Sequence, residues 1–150
     1  MRAVFRFNAE KCSACGACSV ACMDQNDIDV TGGERPYRRV WRCESEGAHG
    51  YHSVACAHCT DAPCVDACPM GCLYKDCETG LTLYDNAACI GCGSCAQACP
   101  LDAITFRQTG LTKPARRMEK CDGCHVRAAA GLEPACVRAC PTGALTWQSE

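Results

Sequence analysis

Sixteen of the nineteen cysteines in this 150-residue chain fall into four tight groups. These are Cys12, Cys15, Cys18 and Cys22; Cys56, Cys59, Cys64 and Cys68; Cys89, Cys92, Cys95 and Cys99; and Cys121, Cys124, Cys136 and Cys140. The third group, Cys-x2-Cys-x2-Cys-x3-Cys-Pro over 89–100, has the spacing by which thiolates hold 4Fe–4S cubes. In that run the fourth cysteine serves the other cube of a pair. Four groups imply four 4Fe–4S clusters bound through these sixteen cysteines, and the chemistry such a set supports is the movement of electrons.

Other uses of so many thiols fit less well. A disulfide scaffold is suggested by any short chain above about 8% cysteine. Disulfides, however, need particular Cα separations, and three cysteines within seven residues, as at 12–18, crowd them out. Met1 to Phe7 shows no apolar leader of the secretory kind. A zinc site would use Cys-x2-Cys pairs, but it gives the third cysteine of each run no task and does not account for the prolines after Cys68, Cys99 and Cys140. Cys121-Asp122-Gly123-Cys124-His125 matches a c-type haem attachment pattern, yet the iron–sulfur spacing already claims both cysteines. With no Ser/His/Asp set, phosphate loop or dinucleotide fingerprint, the chain reads as non-catalytic.

The elements that must position these sulfurs are short. The chain has nine aromatic residues, so the core is thin and metal ligation is expected to supply much of the folding free energy. Glu10-Lys11-Cys12-x2-Cys15 recurs as Glu119-Lys120-Cys121-x2-Cys124, linking the first group to the last. Cys99-Pro100-Leu101-Asp102-Ala103-Ile104-Thr105-Phe106 is echoed by Cys140-Pro141-Thr142-Gly143-Ala144-Leu145-Thr146-Trp147 and, more loosely, by the stretch from Cys68 to Lys75. Each copy predicts a cysteine loop, one or two helical turns and a short strand. Strands are also expected before the loops, at Ala3 to Phe7, Tyr51 to Ala55 and Leu81 to Tyr84. Three residues between the third and fourth cysteine place the pair on one helix face, about 6 Å apart along the axis, so that one helix touches two clusters.

Between the first two groups, Gly32-Gly33 signals a turn and Pro36-Tyr37-Arg38-Arg39-Val40-Trp41-Arg42 reads as a solvated hairpin, with a docking surface anchored by Trp41 as the alternative. The segment 107–120, with Lys113-Pro114-Ala115-Arg116-Arg117, allows the same two readings. Three cysteines are left over. Cys72 stands in the small-residue slot filled by Ala103 and Ala144, which predicts packing, and Cys43 and Cys77 read as plain thiols. His58, inside a cysteine loop, reads as a surface histidine, with tuning of a cluster by hydrogen bonding as the alternative; His49 and His52 carry no signal. Four oxidised cubes would bring the formal charge of −2 to about −10, which disfavours nucleic acid as a partner. No apolar run approaches the ~18 residues of a membrane span.

The order of the groups resembles the four-cluster iron–sulfur subunit of the dimethyl sulfoxide reductase family of molybdenum and tungsten enzymes. Cys56-Ala57-His58-Cys59-Thr60-Asp61-Ala62-Pro63-Cys64 looks like its divergent second group, and Cys121-x2-Cys124-x11-Cys136-x3-Cys140-Pro141 followed by Thr142-Gly143-Ala144-Leu145 looks like its last. The Arg38-Arg39-Val40 stretch is similar as well. The resemblance implies an α+β, loop-rich fold of two ferredoxin-like dicluster modules, an outer one over about 1–50 plus 107–150 and an inserted inner one over about 51–106. It implies cluster one on Cys12, Cys15, Cys18 and Cys140, and cluster two on Cys121, Cys124, Cys136 and Cys22. Cluster three would lie on Cys56, Cys59, Cys64 and Cys99, and cluster four on Cys89, Cys92, Cys95 and Cys68. No group has lost a cysteine, so no three-iron site is expected.

The function so implied is relay of electrons to or from a molybdenum- or tungsten-pterin catalytic subunit, with a second redox partner at the far end. The alternatives are the same wire in a tungsten aldehyde oxidoreductase or hydrogenase, or a free polyferredoxin. Many relatives carry a C-terminal extension beyond the position of Glu150, so this chain is expected to be a minimal version. Self-stacking in a larger assembly is a further expectation. Location in the cytoplasm is expected, or export alongside a signal-bearing partner.

Overall fold

Phe5 and Phe7 alternate with Arg6 at one end of the chain, and Leu145 and Trp147 alternate with Thr146 at the other. Such period-2 stretches bury one face when they pair. In the computed structural model, which describes residues 3–109 and 115–149, they do so. Strand β1 (Ala3–Phe7) runs antiparallel to β8 (Leu145–Ser149), with Phe5 opposite Trp147 and Phe7 opposite Leu145. The ribbon ties the approach to Cys12 to the exit from Cys140.

Three more two-stranded ribbons connect the cysteine loops. They are β2 (Arg39–Ser45) with β3 (Ala48–Val54), β4 (Leu73–Lys75) with β5 (Thr82–Tyr84), and β6 (Ile104–Thr109) with β7 (Ala115–Lys120), all antiparallel. The expected strands at 3–7, 51–55 and 81–84 fall within or across β1, β3 and β5. The β2–β3 hairpin turns at Glu46 and Gly47, both with positive φ. Gly32-Gly33 instead closes a separate loop, where the Asp29 carboxylate accepts from the Thr31 and Gly32 backbone N–H groups. Within 107–120, the described residues pair as β6 with β7; Lys113 and Pro114 lie outside the described residues. The expected module boundaries fall inside β3 and β6.

Helices α1 (Ala17–Gln25), α2 (Pro63–Asp66), α3 (Ser94–Ala98), α4 (His125–Ala129) and α5 (Ala135–Arg138) are short. Cys18 and Cys22 are both buried one turn apart on α1, as expected. In the other groups the helix stops before the fourth cysteine, and Cys99 is already extended, with φ −83° and ψ 114°. The cause is local. Pro69, Pro100 and Pro141 follow Cys68, Cys99 and Cys140, and a proline disfavours helical conformation in the residue before it. Met23 occupies that position after Cys22, so α1 runs on to Gln25.

The core is three small side-chain clusters, each built around cysteines. Leu73, Ile104 and Met118 surround Cys64 and Cys95. Ile28, Tyr37 and Ala55 pack with Cys22 and Cys121, and Val137 and Leu145 with Cys18 and Cys136. Among the described residues no helix is long and apolar enough to cross a membrane.

Candidate iron–sulfur sites

All four cysteine loops start with the same backbone device. Two residues after the first cysteine the chain enters the left-handed region, at Ala14, His58, Gly91 and Gly123, with φ of 55°, 49°, 68° and 73°. That turn swings the backbone N–H inward, and in each loop it donates to the sulfur of the first cysteine at 3.4 Å. Glycine takes the conformation freely; Ala14 and His58 adopt it with a side chain, a sign that the loop imposes it. A second repeated bond serves the fourth cysteine, since the N–H groups of Cys72 and Ala103 donate to Cys68 and Cys99 at 3.3 and 3.4 Å.

The loops bring sulfurs from different groups together. Cys12, Cys15, Cys18 and Cys140 line one cavity. Cys56, Cys59, Cys64 and Cys99 line another, and Cys68, Cys89, Cys92 and Cys95 a third, together with Cys72. Cys22 and Cys121 are buried in one cluster of side chains, and Cys22 lies near enough to Cys136 and Cys124 for their thiolates to repel. The packing that achieves this is identifiable. The β1–β8 ribbon brings Cys140 to the first loop, and α1 against α5 brings Cys22 to the last group.

Three of the sets surround a space. Among the described residues no three His, Cys, Asp or Glu side chains converge closely enough to hold a single metal ion. Four sulfurs around a cavity, with N–H donors aimed at them, suit a multi-iron group bearing delocalised negative charge. Burial raises several of the thiols, Cys22 and Cys95 to about 11 and Cys121 further still, so iron binding must displace protons from them. At the surface, Cys92 is lowered by hydrogen bonds from Ser94. Cys15 and Cys92 are exposed, the first in one cavity and the second in another.

Several polar side chains at these sites were not evident in the sequence. Arg38, assigned there to a solvated hairpin, is only 4% exposed. Its Nη1 donates to Ser53 Oγ at 3.1 Å, and Ser53 Oγ lies 3.3 Å from Cys18 Sγ. Burial works against the guanidinium charge, but the Cys136, Cys121 and Cys18 thiolates outweigh it and raise the pKa. Arg38 therefore stands between the first and last groups.

His58 is buried as well, contrary to the surface reading. Its Nδ1 accepts from the Thr82 N–H at 3.1 Å, which puts the ring proton on Nε2, 3.8 Å from Cys121 Sγ. Burial, then Lys120 and Lys75, hold the imidazole neutral, with its pKa pushed down to about 3. Lys120 is 1% exposed and donates to the Thr82 and Cys121 carbonyls, whereas Lys11, its counterpart in the Glu-Lys-Cys repeat, is exposed. Lys75 Nζ ties the second loop to β5 by donating to the His58 and Cys59 carbonyls and to Thr82 Oγ1.

Residues 48–150 match the family model of the 4Fe-4S dicluster domain, and the chain belongs to that family of ferredoxin-like iron–sulfur proteins. It is 36% identical to the B subunit of the anaerobic dimethyl sulfoxide reductase of Haemophilus influenzae, over 94% of this chain and 71% of that one. It is 38% identical to the thiosulfate reductase electron transfer subunit of Salmonella typhi, over 95% of this chain and 73% of that one. With the arsenate respiratory reductase iron-sulfur subunit of a Shewanella species it shares 32% identity, over 96% and 80%. The chain is an electron-transfer protein with four 4Fe–4S clusters, of a kind named for subunits that serve a reductase and are not its catalytic chain.

Proposed function

We propose that the clusters are held in crossed sets and form one wire in a molybdenum or tungsten oxidoreductase. Cluster one lies on Cys12, Cys15, Cys18 and Cys140, and cluster two on Cys121, Cys124, Cys136 and Cys22. Cluster three lies on Cys56, Cys59, Cys64 and Cys99, and cluster four on Cys89, Cys92, Cys95 and Cys68. The observation that carries the reading is that three cavities are each lined by three cysteines of one group and the fourth cysteine of another. A 4Fe–4S cluster so bound accepts and releases one electron, at a potential set by charge, hydrogen bonds and exposure.

The order along the wire follows from neighbouring sulfurs. Cys18 and Cys136 pack together, joining clusters one and two. Cys56 packs against Cys121, joining two and three, and Cys64 shares a core cluster with Cys95, joining three and four. Exposed Cys15 and Cys92 then mark the two ends. One end serves a catalytic subunit, as the names of the reductase relatives suggest, of the molybdenum- or tungsten-pterin type that the family resemblance implies, and the other a second redox partner or another copy of this chain. The outer module, 1–50 with 107–150, is tied by β1–β8, and the inserted module, 51–106, contains β4–β5.

Anaerobic purification with iron analysis tests the reading. About sixteen irons per chain are expected. Zinc in place of iron, or four irons fewer, refutes it. Native pull-down followed by metal analysis of the captured subunit tests the partner, with molybdenum or tungsten expected in it.

A further inference from the structure

Cys72 follows Cys68 by four residues, as Ala103 follows Cys99 and Ala144 follows Cys140. The loops of Cys68 and Cys99 share a backbone, as the matching N–H bonds from Cys72 to Cys68 and from Ala103 to Cys99 show. At this slot two loops carry a methyl group and one carries a thiol. Cys72 is 2% exposed, yet it is not simply core. It lines the same cavity as Cys68, Cys89, Cys92 and Cys95, which thus has five cysteines where the others have four. Its thiol lies beside the Cys68 sulfur and near Cys89, and its backbone N–H donates to Cys68 Sγ at 3.3 Å.

We propose that Cys72 is a reserve ligand of cluster four, able to replace Cys68 on its iron. The inference rests on the assignment of Cys68 to that cluster. In the exchange the iron–sulfur bond to Cys68 breaks, a bond to Cys72 forms, and the Cys72 thiol proton passes to the departing Cys68 thiolate beside it. No electron changes hands. Cys99, whose counterpart slot is Ala103, has no such substitute.

The test uses the full chain, purified anaerobically with its clusters, as Cys68→Ala, Cys99→Ala and Cys68→Ala/Cys72→Ala, read by iron content and by EPR of the oxidised protein. Cys68→Ala is expected to keep about sixteen irons, with no three-iron signal, because Cys72 takes over and releases its proton to solvent. Cys99→Ala and the double variant each lose one iron and show a three-iron signal. If Cys68→Ala behaves like the double variant, the reserve role is wrong. If the double variant keeps every iron, the assignment of Cys68 to cluster four is what fails. Cys72→Ala alone, with all sixteen ligands intact, gives a second readout. On controlled exposure to air its three-iron signal should appear several-fold sooner than in the wild-type chain, and equal rates overturn the proposal.

Discussion

Replacing Arg38 with glutamine keeps a hydrogen-bond donor near Ser53 and removes one buried positive charge. Arg38 Nη1 to Ser53 Oγ and Ser53 Oγ to Cys18 Sγ measure 3.1 and 3.3 Å. The charged nitrogen is therefore within about 6 Å of a cluster-one sulfur, and at an effective dielectric of about 20 a unit charge there contributes about 3 kcal/mol. For a one-electron couple, where 59 mV is a tenfold change, this corresponds to a shift of order 100 mV. The guanidinium favours the more negative, reduced state, so the variant's midpoint potentials should fall. Arg38 neighbours Cys18, Cys136 and Cys121, so clusters one and two should both respond and clusters three and four much less. EPR-monitored redox titration of the holoprotein resolves the four. Arg42→Gln is the control, since Arg42 is exposed and already paired with Glu44, and solvent screens such a charge. A rise in potential, an equal shift in all four clusters, or a shift as large in Arg42→Gln would refute the placement of Arg38 between the first two clusters.

Cys22→Ser should damage cluster two and spare cluster one, seen as loss of one EPR component; loss of the cluster on Cys12, Cys15 and Cys18 would contradict the crossed ligation. His58→Phe keeps a ring beside Phe5 but removes the Nε2–H facing Cys121, and a bond worth about 1 kcal/mol should lower the cluster-two potential by roughly 40 mV in the same titration. Gly91→Ala would drive a Cβ into the Arg116 carbonyl oxygen at a φ of +68°, whereas Gly16→Ala, at +78°, meets open space. Both should show the left-handed penalty of about 1 kcal/mol or more, but only the Gly91 variant should lose several degrees more in anaerobic thermal unfolding and bind cluster four poorly.

The cysteine groups were legible because their spacing is a local property, and so was the short strand after each of the last three groups. The proline effect was also present in the sequence. Pro69, Pro100 and Pro141 against Met23 separates the three truncated helices from the one that continues, and reading the residue before proline would have found it. What stayed hidden depends on contacts between distant segments. Arg38 lies in a run with Arg39 and Arg42, and nothing local marks it as the buried one; Ser53, fifteen residues on, receives it. His58 became internal because Thr82 and Cys121 close around it. Lys11 and Lys120 stand in identical Glu-Lys-Cys contexts and have opposite exposure, since only the second lies under β5.

These hidden groups bear on how so thin a core is stable. Arg38 and Lys120 are buried cations whose hydrogen bonds go to neutral oxygens of Ser53, Thr82 and Cys121. Burying a charge without a counter-charge costs several kcal/mol. The counter-charge nearest Arg38 is thiolate, from Cys18, Cys136 and Cys121, and Cys121 and Cys64 lie near Lys120. Without iron, burial keeps Cys121 and Cys18 in the neutral thiol form, and both cations lose their compensation. Iron binding thus does more than cross-link the loops. By holding the sulfurs as thiolates it makes the interior tolerable for Arg38 and Lys120, and those charges in turn stabilise reduced clusters. Ligation, burial of the cations and redox potential are one coupled equilibrium, so a substitution at either cation should alter cluster retention and midpoint potential together.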